Sequence, residues 1–487
     1  MDLILHNCPY RYELENLCRL FFFTEGVRVA QDADPARRID VWLEEAAAGE
    51  TLARAQVRLD GGVYAGERRV DRTSPTYADD CEMALSLLLF ELLCAHTPVR
   101  PRWGVLTGVR PVKWVGRLWR EGHSDQEVLR ILTERWLVLP EKARLALETA
   151  KNERSITANA HPLDCSLYVS IPFCPSRCSY CSFVSQATAS AHKLIPRYVE
   201  LLCEELACVG EKVRRNGLRL KTVYFGGGTP SVLTAEQLTA LTDSVARSFD
   251  LAHLEEYTVE AGRPDTITRD KLAALRRAAV TRISINPQTL NDRVLETIGR
   301  RHTAQQALDA FALAREEGFC DINMDLIAGL PSDTLDSFAD TLACLTALRP
   351  ENLTVHTLSL KRSSALRTEG YDRGELYRNP AAEMMELAQR TLAAAGYAPY
   401  YLYRQKNTLG NLENVGYCLG KQFGRYNVYI MEELHTIVAA GAGGVTKLVD
   451  PQRNRIRRVF DYKYPNEYIG GFDEMLRRKD EIDAFFA

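Results

Sequence analysis

Three cysteines stand close together in one short stretch of this sequence. Cys174, Cys178 and Cys181 are spaced as C-x3-C-x2-C and follow a short apolar run that predicts a β-strand. Thiolates are the protein ligands of iron–sulfur clusters, and a structural cluster normally takes four of them. Three thiolates on a four-iron cube leave one iron without a protein ligand, as catalytic zinc sites leave one position open. The spacing therefore predicts a [4Fe–4S] cluster with one iron open to a small ligand.

Two other interpretations of the three cysteines remain. A zinc ion would take a fourth ligand, and the candidates nearest in sequence, Cys165 and His192, do not lie at a zinc-ribbon spacing. Buried thiols without a metal are typical of single cysteines on apolar segments, such as Cys18 and Cys94. The clustered pattern favours the iron–sulfur interpretation over both.

The bulk properties of the chain limit the class of protein. It has 487 residues, of which 46% are apolar, and a net charge of -3. This length allows two or three domains, and the balanced charge gives no reason to expect nucleic acid as a partner. The apolar run 83–94 is too short to span a bilayer, and residues 1–7 lack the pattern of a secretory signal. Thirteen cysteines without such a signal predict a cytoplasmic protein with no transmembrane segment.

Strands and helices are predicted to alternate regularly after residue 160. The six predicted strands are 167–171, 222–225, 257–260, 282–285, 321–326 and 352–358. The helices predicted between them are 196–213, 235–248, 269–278, 304–317 and 334–348. Such alternation implies parallel strands joined by right-handed crossovers. We therefore predict an α/β fold with a partial (β/α)6 barrel, with a doubly wound sheet as the alternative.

The segments on either side of this alternation differ from it. Residues 1–159 predict an N-terminal α+β domain that ends in a polar linker at 155–164. The partial barrel takes residues 160–360, and residues 361–487 predict a mixed C-terminal domain. In that last domain we predict a helix near 432–438, before a glycine-rich stretch.

Polar signals recur at the carboxyl ends of the predicted strands, where barrel enzymes carry their chemistry. The cysteines follow the first strand and the glycine-rich stretch 226–230 follows the second. Consecutive glycines let the backbone approach a ligand closely and leave N–H groups free to point at it, although a simple turn also explains them. Glu260 and Asp325 lie near the ends of apolar strands, where a carboxylate needs a partner, a structural salt bridge being the alternative.

Together these motifs resemble a known superfamily. The stretch 168–181, which begins YVSIPFC, is similar to the radical S-adenosylmethionine superfamily and, within it, to the oxygen-independent coproporphyrinogen III oxidase group. The resemblance covers about residues 166–446. The stretches 107–111, 403–417 and 427–432 also resemble the oxidase-like branch that has an extra N-terminal domain.

The resemblance implies two cofactors. It implies a [4Fe–4S] cluster held by the three cysteines and one or two molecules of S-adenosylmethionine, which the cluster cleaves to a 5′-deoxyadenosyl radical. Gln288 and Asp325 would meet ribose hydroxyls, and Arg300 a cofactor carboxylate, a free surface arginine being the alternative. The implied cofactor-binding residues are Tyr168, Tyr180, Gly227, Gly228, Thr229, Glu260, Gln288, Arg300, Asp325, Ser359 and Val445.

The resemblance also implies a substrate and a reaction. The expected reaction is oxidative decarboxylation of two coproporphyrinogen III propionates to vinyl groups, which forms protoporphyrinogen IX in haem biosynthesis and needs an electron donor such as flavodoxin or ferredoxin. A polyanionic substrate calls for cations, arginine being suited to a bidentate grip on carboxylates. Arg110, Lys113, Arg404 and Lys406 are candidates on loops, ordinary surface cations being the alternative.

Two related functions stay open. Ser182 and Phe183 follow the third cysteine, where the proven oxidases have x-Cys. A phenylalanine at this place also occurs in the related haem-chaperone branch. Haem binding and transfer on the same scaffold is therefore one alternative, and a radical enzyme acting on another tetrapyrrole, for instance in haem ring opening, is the other.

Overall fold

The protein forms two compact units. The computed structural model describes residues 1–23, 25–30, 36–46, 49–361, 363–368, 379–405, 408–450 and 452–487. The first unit comprises Met1–Glu148, Asp372–Asn379 and Tyr403–Glu413, and the second comprises Thr149–Tyr371, Pro380–Leu402 and Asn414–Ala487. The division into three domains at residues 159 and 360 stays a prediction. None of the helices in the described ranges combines the length and the apolar character that a membrane span requires.

The first unit has the α+β character predicted for it. Its sheet has the order β2-β1-β3-β4-β5, with β1 (Asp2–His6), β2 (Arg28–Val29), β3 (Arg38–Glu45), β4 (Glu50–Leu59) and β5 (Gly62–Asp71). Alternate residues of β4 are buried, and the apolar helix Tyr77–His96 packs on β4 and β5. The other helical segments are Arg11–Phe21, Val112–Arg120, Asp125–Arg130, Ile131–Arg135 and Pro140–Thr157, the last of which continues into the second unit.

A larger sheet organises the rest of the chain. Its strands and a two-stranded ribbon are β6 (Asp164–Ile171), β7 (Phe173–Cys174), β8 (Gln186–Ala187), β9 (Arg219–Gly227), β10 (Glu256–Glu260), β11 (Arg282–Ser284), β12 (Ile322–Ala328), β13 (Asn352–Thr357), β14 (Tyr397–Arg404), β15 (Glu413–Leu419), β16 (Thr436–Ala440), β17 (Val445–Asp450) and β18 (Arg455–Phe460). The large sheet has the order β14-β15-β13-β12-β11-β10-β9-β6-β16-β17-β18, and β7 pairs only with β8 among the described strands.

The six predicted barrel strands are confirmed. They are β6, β9, β10, β11, β12 and β13, which lie side by side in this order and are parallel. The helices that connect them include Ile195–Arg215, Ala235–Ser248, Arg269–Arg277, Ala304–Glu316 and Leu335–Leu348. The remaining helices are Thr188–Ala191, Asp292–Thr297, Ala365–Thr368, Ala381–Ala394, Arg425–Glu432, Pro465–Gly470, Phe472–Arg478 and Asp480–Phe486. Within the described residues the sheet stays open, as a partial barrel requires.

The helix predicted near 432–438 is wrong. The helix Arg425–Glu432 ends there, because Glu433 adopts a left-handed conformation with φ 54°. The chain then continues as β16, which is parallel to β6 and buried along its whole length. A short apolar run that is buried on both faces fits a helix and a strand equally well. Hydrophobic periodicity therefore does not distinguish the two structures in this segment.

Candidate functional site

The three cysteines lie on the loop that follows β6. Cys178 is buried, and Cys174 and Cys181 are half-buried. Burial raises the pKa of the Cys181 thiol to about 11, and the charges of Cys178 and Cys174 add to this effect. No group of three His, Cys, Asp or Glu side chains in the described residues is placed to hold a single metal ion. A single zinc ion draws its thiolates to about 2.3 Å from one point, whereas the thiolates of a four-iron cluster bind different irons.

Hydrogen bonds from other strand-end loops fix the cysteine loop. The Ser179 backbone N–H donates to the Ile298 carbonyl (3.0 Å), and Ser176 Oγ donates to the Gly299 carbonyl (3.1 Å). Arg263 is 2% exposed, forms a bidentate pair with Asp265 and donates to Ser176 Oγ at 3.0 Å. Arg263 was not predicted as a site residue from the sequence. An arginine directly after a buried strand was the available signal, because a buried guanidinium needs several acceptors.

The glycine-rich stretch 226–230, at the carboxyl end of β9, is joined to the start of the cysteine loop by backbone hydrogen bonds. The Gly228 N–H donates to the Ile171 carbonyl (2.9 Å), and the Thr229 N–H donates to the Phe173 carbonyl (2.8 Å). These two N–H groups are therefore used inside the protein and do not point at a ligand, in contrast to the expectation from the glycine run. Thr229 Oγ1 lies 3.5 Å from Cys174 Sγ and donates to it. Gly227, with φ 102°, lies beside Tyr168 and Ser170.

The Gly228→Ala variant should assemble its cluster poorly. A Cβ at residue 228 would lie 2.5 Å from the Phe173 carbonyl oxygen and 2.7 Å from that of Ile171, so the backbone of the cysteine loop must move. We expect a loss of about 1–3 kcal/mol in the free energy of unfolding and a lower iron content after anaerobic reconstitution. The control is Gly116→Ala, where nothing lies within 4 Å of the added Cβ. Equal iron content and melting temperature in both variants would contradict this role of Gly228.

Glu260 lies among stacked tyrosines inside the barrel. Its Oε1 accepts a hydrogen bond from the Tyr224 hydroxyl at 2.6 Å. The Tyr224 ring stacks on Tyr426 at 4.4 Å between centroids, and Tyr168 stacks on both at 6.2 Å. Burial raises the pKa of Glu260 to about 7, although the Tyr224 hydrogen bond opposes this. Tyr168 and Glu260 were predicted as site residues from the sequence, whereas Tyr224 and Tyr426 were not.

The Glu260→Gln variant should weaken a pH dependence of stability. The pKa of Glu260 rises from 4.5 to about 7 on folding, so the folded protein retains a proton that the unfolded chain releases between these values. Stability of the wild-type protein therefore falls as pH rises through that window, and it falls less in the variant. Thermal unfolding of the cofactor-free protein between about pH 5 and pH 8 measures this difference. The exposed Glu296→Gln is the control, and identical pH slopes in all three proteins would refute the prediction.

Gln288 has an unusual backbone next to Asp325. Its φ is 70°, and two backbone bonds with β12 hold it, one to the Asp325 carbonyl (2.9 Å) and one from the Ile327 N–H (3.0 Å). Gln288 Oε1 is buried, and none of the described residues donates a hydrogen bond to it. A buried amide oxygen without a donor costs free energy unless a ligand or a water supplies one.

Arg300 connects the cysteine loop to the end of the fourth strand. Its Nη1 donates to the Asn286 carbonyl (2.6 Å) and its Nη2 to the Tyr180 hydroxyl (3.1 Å), while Nε is buried without a partner. Burial acts to lower the pKa of Arg300, but the charges of Tyr180 and Cys178 outweigh it and raise the pKa overall. Arg300 is thus a fully charged group beside the cysteines and not a free surface arginine.

The other predicted site residues lie in less informative places. The Ser359 carbonyl accepts a hydrogen bond from the Lys361 N–H at 3.1 Å, and Val445 begins β17, paired with Phe460. In the first unit Arg110 is half-buried and Lys113 is exposed. Lys406 lies outside the described residues.

Arg404 does not lie on a loop as expected. It ends β14, is 2% exposed, and donates from Nη2 to the carbonyls of Leu106 (2.8 Å) and Gly108. Burial lowers the pKa of its guanidinium to about 10. Arg404 therefore anchors the stretch 106–108 of the first unit. The sequence suggested a loop because Asn- and Gly-rich residues follow it closely.

Comparisons with known proteins agree with this architecture. Residues 168–345 match the model of the Radical SAM superfamily. The chain is 38% identical over 419 residues to the oxygen-independent coproporphyrinogen-III oxidase-like protein HemZ of Bacillus subtilis, which covers 85% of this chain and 84% of HemZ. It is 33% identical to the heme chaperone HemW of Escherichia coli, over 66% of this chain and 79% of HemW. The crystal structure of coproporphyrinogen III oxidase HemN from Escherichia coli has the same fold, with a TM-score of 0.51, 22% identity and coverage of 67% of this chain and 73% of HemN.

Fold, site and comparisons define a radical S-adenosylmethionine protein, which uses a [4Fe–4S] cluster and S-adenosylmethionine. Within that superfamily the chain belongs to the family of the oxygen-independent coproporphyrinogen III oxidase-like proteins, to which HemZ also belongs.

Proposed function

We propose that this protein carries out oxygen-independent oxidative decarboxylation of coproporphyrinogen III propionates to vinyl groups. The observation that carries the proposal is the likeness to HemZ, which extends over 84% of that protein, well beyond the superfamily core at 168–345. The protein would act in haem biosynthesis in the cytoplasm, with an electron donor of the flavodoxin or ferredoxin kind.

The residues of the site are suited to the two cofactors. Cys174, Cys178 and Cys181 are proposed as the three cluster ligands, because their spacing on one loop suits a four-iron cluster with one iron left without a protein ligand. Thr229 donates a hydrogen bond to Cys174, and such donors stabilise thiolates. The orphan atoms Gln288 Oε1 and Arg300 Nε supply an acceptor and a donor for a polar ligand.

The carboxylates and tyrosines would bind and orient the cofactor. Bound together, the cluster and S-adenosylmethionine supply a carbon-centred radical that can abstract hydrogen. Glu260, Gln288 and Asp325 would accept hydrogen bonds from polar cofactor groups, with Tyr168 and Tyr180 packed beside them. Gly227, Gly228, Thr229, Ser359 and Val445 would form the backbone wall of the same site. Arg110, Lys113 and Lys406 stay candidates for the grip on substrate carboxylates, whereas the buried Arg404 is used to anchor residues 106–108.

The overall reaction needs an electron acceptor outside this chain. Each propionate loses one hydrogen atom from its β-carbon, its carboxylate leaves as carbon dioxide, and one electron passes to the acceptor. A vinyl group remains. The chain's own part is to hold the substrate carboxylates apart from water and to keep the reacting carbon next to the cofactor site.

Haem binding and transfer is the second candidate function. It is favoured by the 33% identity to the heme chaperone HemW over 79% of that protein and by Phe183 after the third cysteine. A radical reaction on another tetrapyrrole is a further alternative on the same site.

One experiment separates these functions. The cluster is rebuilt without oxygen, and the protein receives a reductant, S-adenosylmethionine and coproporphyrinogen III, after which the porphyrins are analysed by mass. The proposal predicts the loss of one and then two molecules of carbon dioxide together with 5′-deoxyadenosine. Tight haem binding with unchanged coproporphyrinogen would indicate the chaperone, and 5′-deoxyadenosine with unchanged coproporphyrinogen would indicate another substrate.

A further inference from the structure

A threonine hydroxyl is directed at one of the three cysteines. Thr229, which follows the glycines at the carboxyl end of β9, is 3% exposed. Its Oγ1 lies 3.5 Å from Cys174 Sγ and donates a hydrogen bond to it. Among the described residues, Cys174 is the one partner of this hydroxyl. The family resemblance places Thr229 near S-adenosylmethionine and gives it no role toward the cluster, so this contact needs an explanation of its own.

The backbone on both sides of this hydrogen bond is held by the fold. The Thr229 N–H donates to the Phe173 carbonyl (2.8 Å), and the Thr229 carbonyl accepts from the Val232 N–H (2.9 Å). Pro230 follows and restricts Thr229 to an extended backbone, which has φ -136° and ψ 89°. Cys174 is held by the pairing of β7 with β8. The β-branched side chain of threonine is itself stiff about χ1, so the hydroxyl and the sulfur are brought together before any ligand binds.

The direction of this hydrogen bond is fixed once the cysteine ligates iron. A cysteine that binds a metal is a thiolate, so its sulfur has no hydrogen to donate and can only accept. The Thr229 hydroxyl carries one hydrogen that it can donate, and it must then be the donor. Because the threonine is buried, the hydrogen bond lies in a region of low dielectric constant, where it is electrostatically stronger than in water.

A donor at a cluster sulfur acts unequally on the oxidised and the reduced cluster. Reduction adds one negative charge, part of which resides on the thiolates, and a more negative acceptor forms a stronger hydrogen bond. Hydrogen bonds to the sulfurs are among the factors that set the reduction potential of an iron–sulfur cluster. A hydroxyl at Cys174 Sγ therefore stabilises the reduced form more than the oxidised form, which makes the potential less negative.

We propose that the Thr229 hydroxyl, through its hydrogen bond to Cys174, raises the reduction potential of the cluster and so eases its reduction by the external electron donor. One electron passes from the reduced donor to the cluster, and the threonine itself neither gains nor loses an electron or a proton. Thr229 acts through Cys174 and is in this sense a positioning residue. The inference rests on Cys174 as a proposed cluster ligand and not on the identity of the substrate.

The test is an anaerobic redox titration of the reconstituted protein, followed by electron paramagnetic resonance of the reduced cluster. S-adenosylmethionine and substrate are left out, so that their affinities do not enter the measured potential. The series compares the wild-type protein with Thr229→Val, Thr229→Ala and Thr229→Ser. Valine keeps the branched shape without the hydroxyl, alanine removes both branches, and serine keeps the hydroxyl without the methyl group.

The matched control is a second buried threonine. Thr242 is also 3% exposed, and its hydroxyl donates to the Leu238 carbonyl (3.0 Å) within the helix Ala235–Ser248. Thr242→Val therefore loses a buried hydroxyl and its hydrogen bond without touching a cysteine. Iron and sulfide content report whether each variant holds its cluster.

The proposal predicts a pattern that follows the hydroxyl. At one poised potential, Thr229→Val and Thr229→Ala should show a ratio of reduced to oxidised cluster that is lower than in the wild-type protein by up to about tenfold, as expected for the loss of one charge-assisted hydrogen bond. A tenfold change in a one-electron couple corresponds to about 59 mV. Thr229→Ser and Thr242→Val should keep the wild-type potential.

Three results would overturn the role of Thr229. The first is a wild-type potential in either Thr229→Val or Thr229→Ala. The second is an equal shift in the valine and serine variants, which would indicate packing alone. The third is that neither valine nor alanine holds a cluster, because the hydroxyl would then serve assembly and not the potential. If only one of these two variants holds a cluster, its potential decides.

Failure of the proposed site is distinguished by Cys174→Ala. Full iron content in that variant would remove Cys174 from the ligand set and, with it, the basis of this inference. A potential that follows the hydroxyl in a protein that leaves coproporphyrinogen unchanged would refute the proposed substrate and support the role of Thr229.

Discussion

The Cys178→Ala variant should hold no stable [4Fe–4S] cluster and form no 5′-deoxyadenosine from S-adenosylmethionine. Cys178 is the buried member of the three cysteines. With only two thiolates left, a second iron of the cluster would have no protein ligand, and no other side chain in the loop can take the place of Cys178. Changes in outer-shell partners cost about 10–100-fold in metal affinity, and loss of a direct ligand costs more.

This prediction is measured on anaerobically reconstituted protein. Iron and sulfide content and the visible absorption report the cluster, and chromatography reports 5′-deoxyadenosine. The matched control is Cys344→Ala, a half-buried cysteine on the helix Leu335–Leu348. Full iron content or undiminished 5′-deoxyadenosine in Cys178→Ala would remove Cys178 from the ligand set.

The Lys479→Met variant should lose about 3–5 kcal/mol of stability, as when one partner of a buried ion pair is removed. Lys479 Nζ is fully buried and lies 2.8 Å from Glu205 Oε1 and 2.7 Å from Asp461 Oδ1. It also donates to the Ala439 carbonyl (2.8 Å), while Glu205 Oε2 accepts from the Gly441 N–H (2.8 Å). The variant leaves two buried carboxylates without the ammonium group that balances their charge. One of them, Glu205, contacts Gly441 in the loop that precedes Val445.

The pH dependence of this loss has a defined sign. Burial raises the pKa of Asp461 to about 7, although Lys479 opposes the rise. Without the lysine the pKa of Asp461 rises further, so ionisation costs the folded state more, and the loss of stability should be larger at about pH 8 than at about pH 6. Thermal unfolding of the variant and of the exposed control Lys421→Met, at about pH 6 and about pH 8, measures the loss of stability at each pH. Addition of Asp461→Asn should recover part of the loss. A melting temperature equal to that of the control at both pH values would contradict the ion cluster.

The barrel strands could be predicted because their signals are local. Short β-branched segments separated by amphipathic helices fix element type within a window of a dozen residues. All six predicted strands are present in parallel order. The strand β16 could not be found in this way. Its position next to β6 depends on a partner about 270 residues earlier in the chain, at the register Thr436 with Cys165.

In the candidate site, too, some residues could be predicted from local signals in the sequence and others could not. Cysteine spacing and the strand-end positions of Glu260, Gln288 and Asp325 are visible in the sequence, since a parallel sheet brings such positions to one edge. Tyr224 gave no signal of that kind, and Arg263 gave one only through its place after a buried strand. Each acquires its role from a partner on another strand or loop, Glu260 for Tyr224 and Ser176 for Arg263.

By itself the sequence determined the class of chemistry, because three thiolates at this spacing and a βα alternation need no long-range information. Only the tertiary structure decided the electrostatics of the site. Burial, which depends on the whole fold, sets the raised pKa of Glu260. The hydroxyl of Tyr224, which lies on a neighbouring strand, donates a hydrogen bond to Glu260 and opposes this rise. Charge and hydrogen-bond direction are properties of neighbours in space, and spacing along the chain does not contain them.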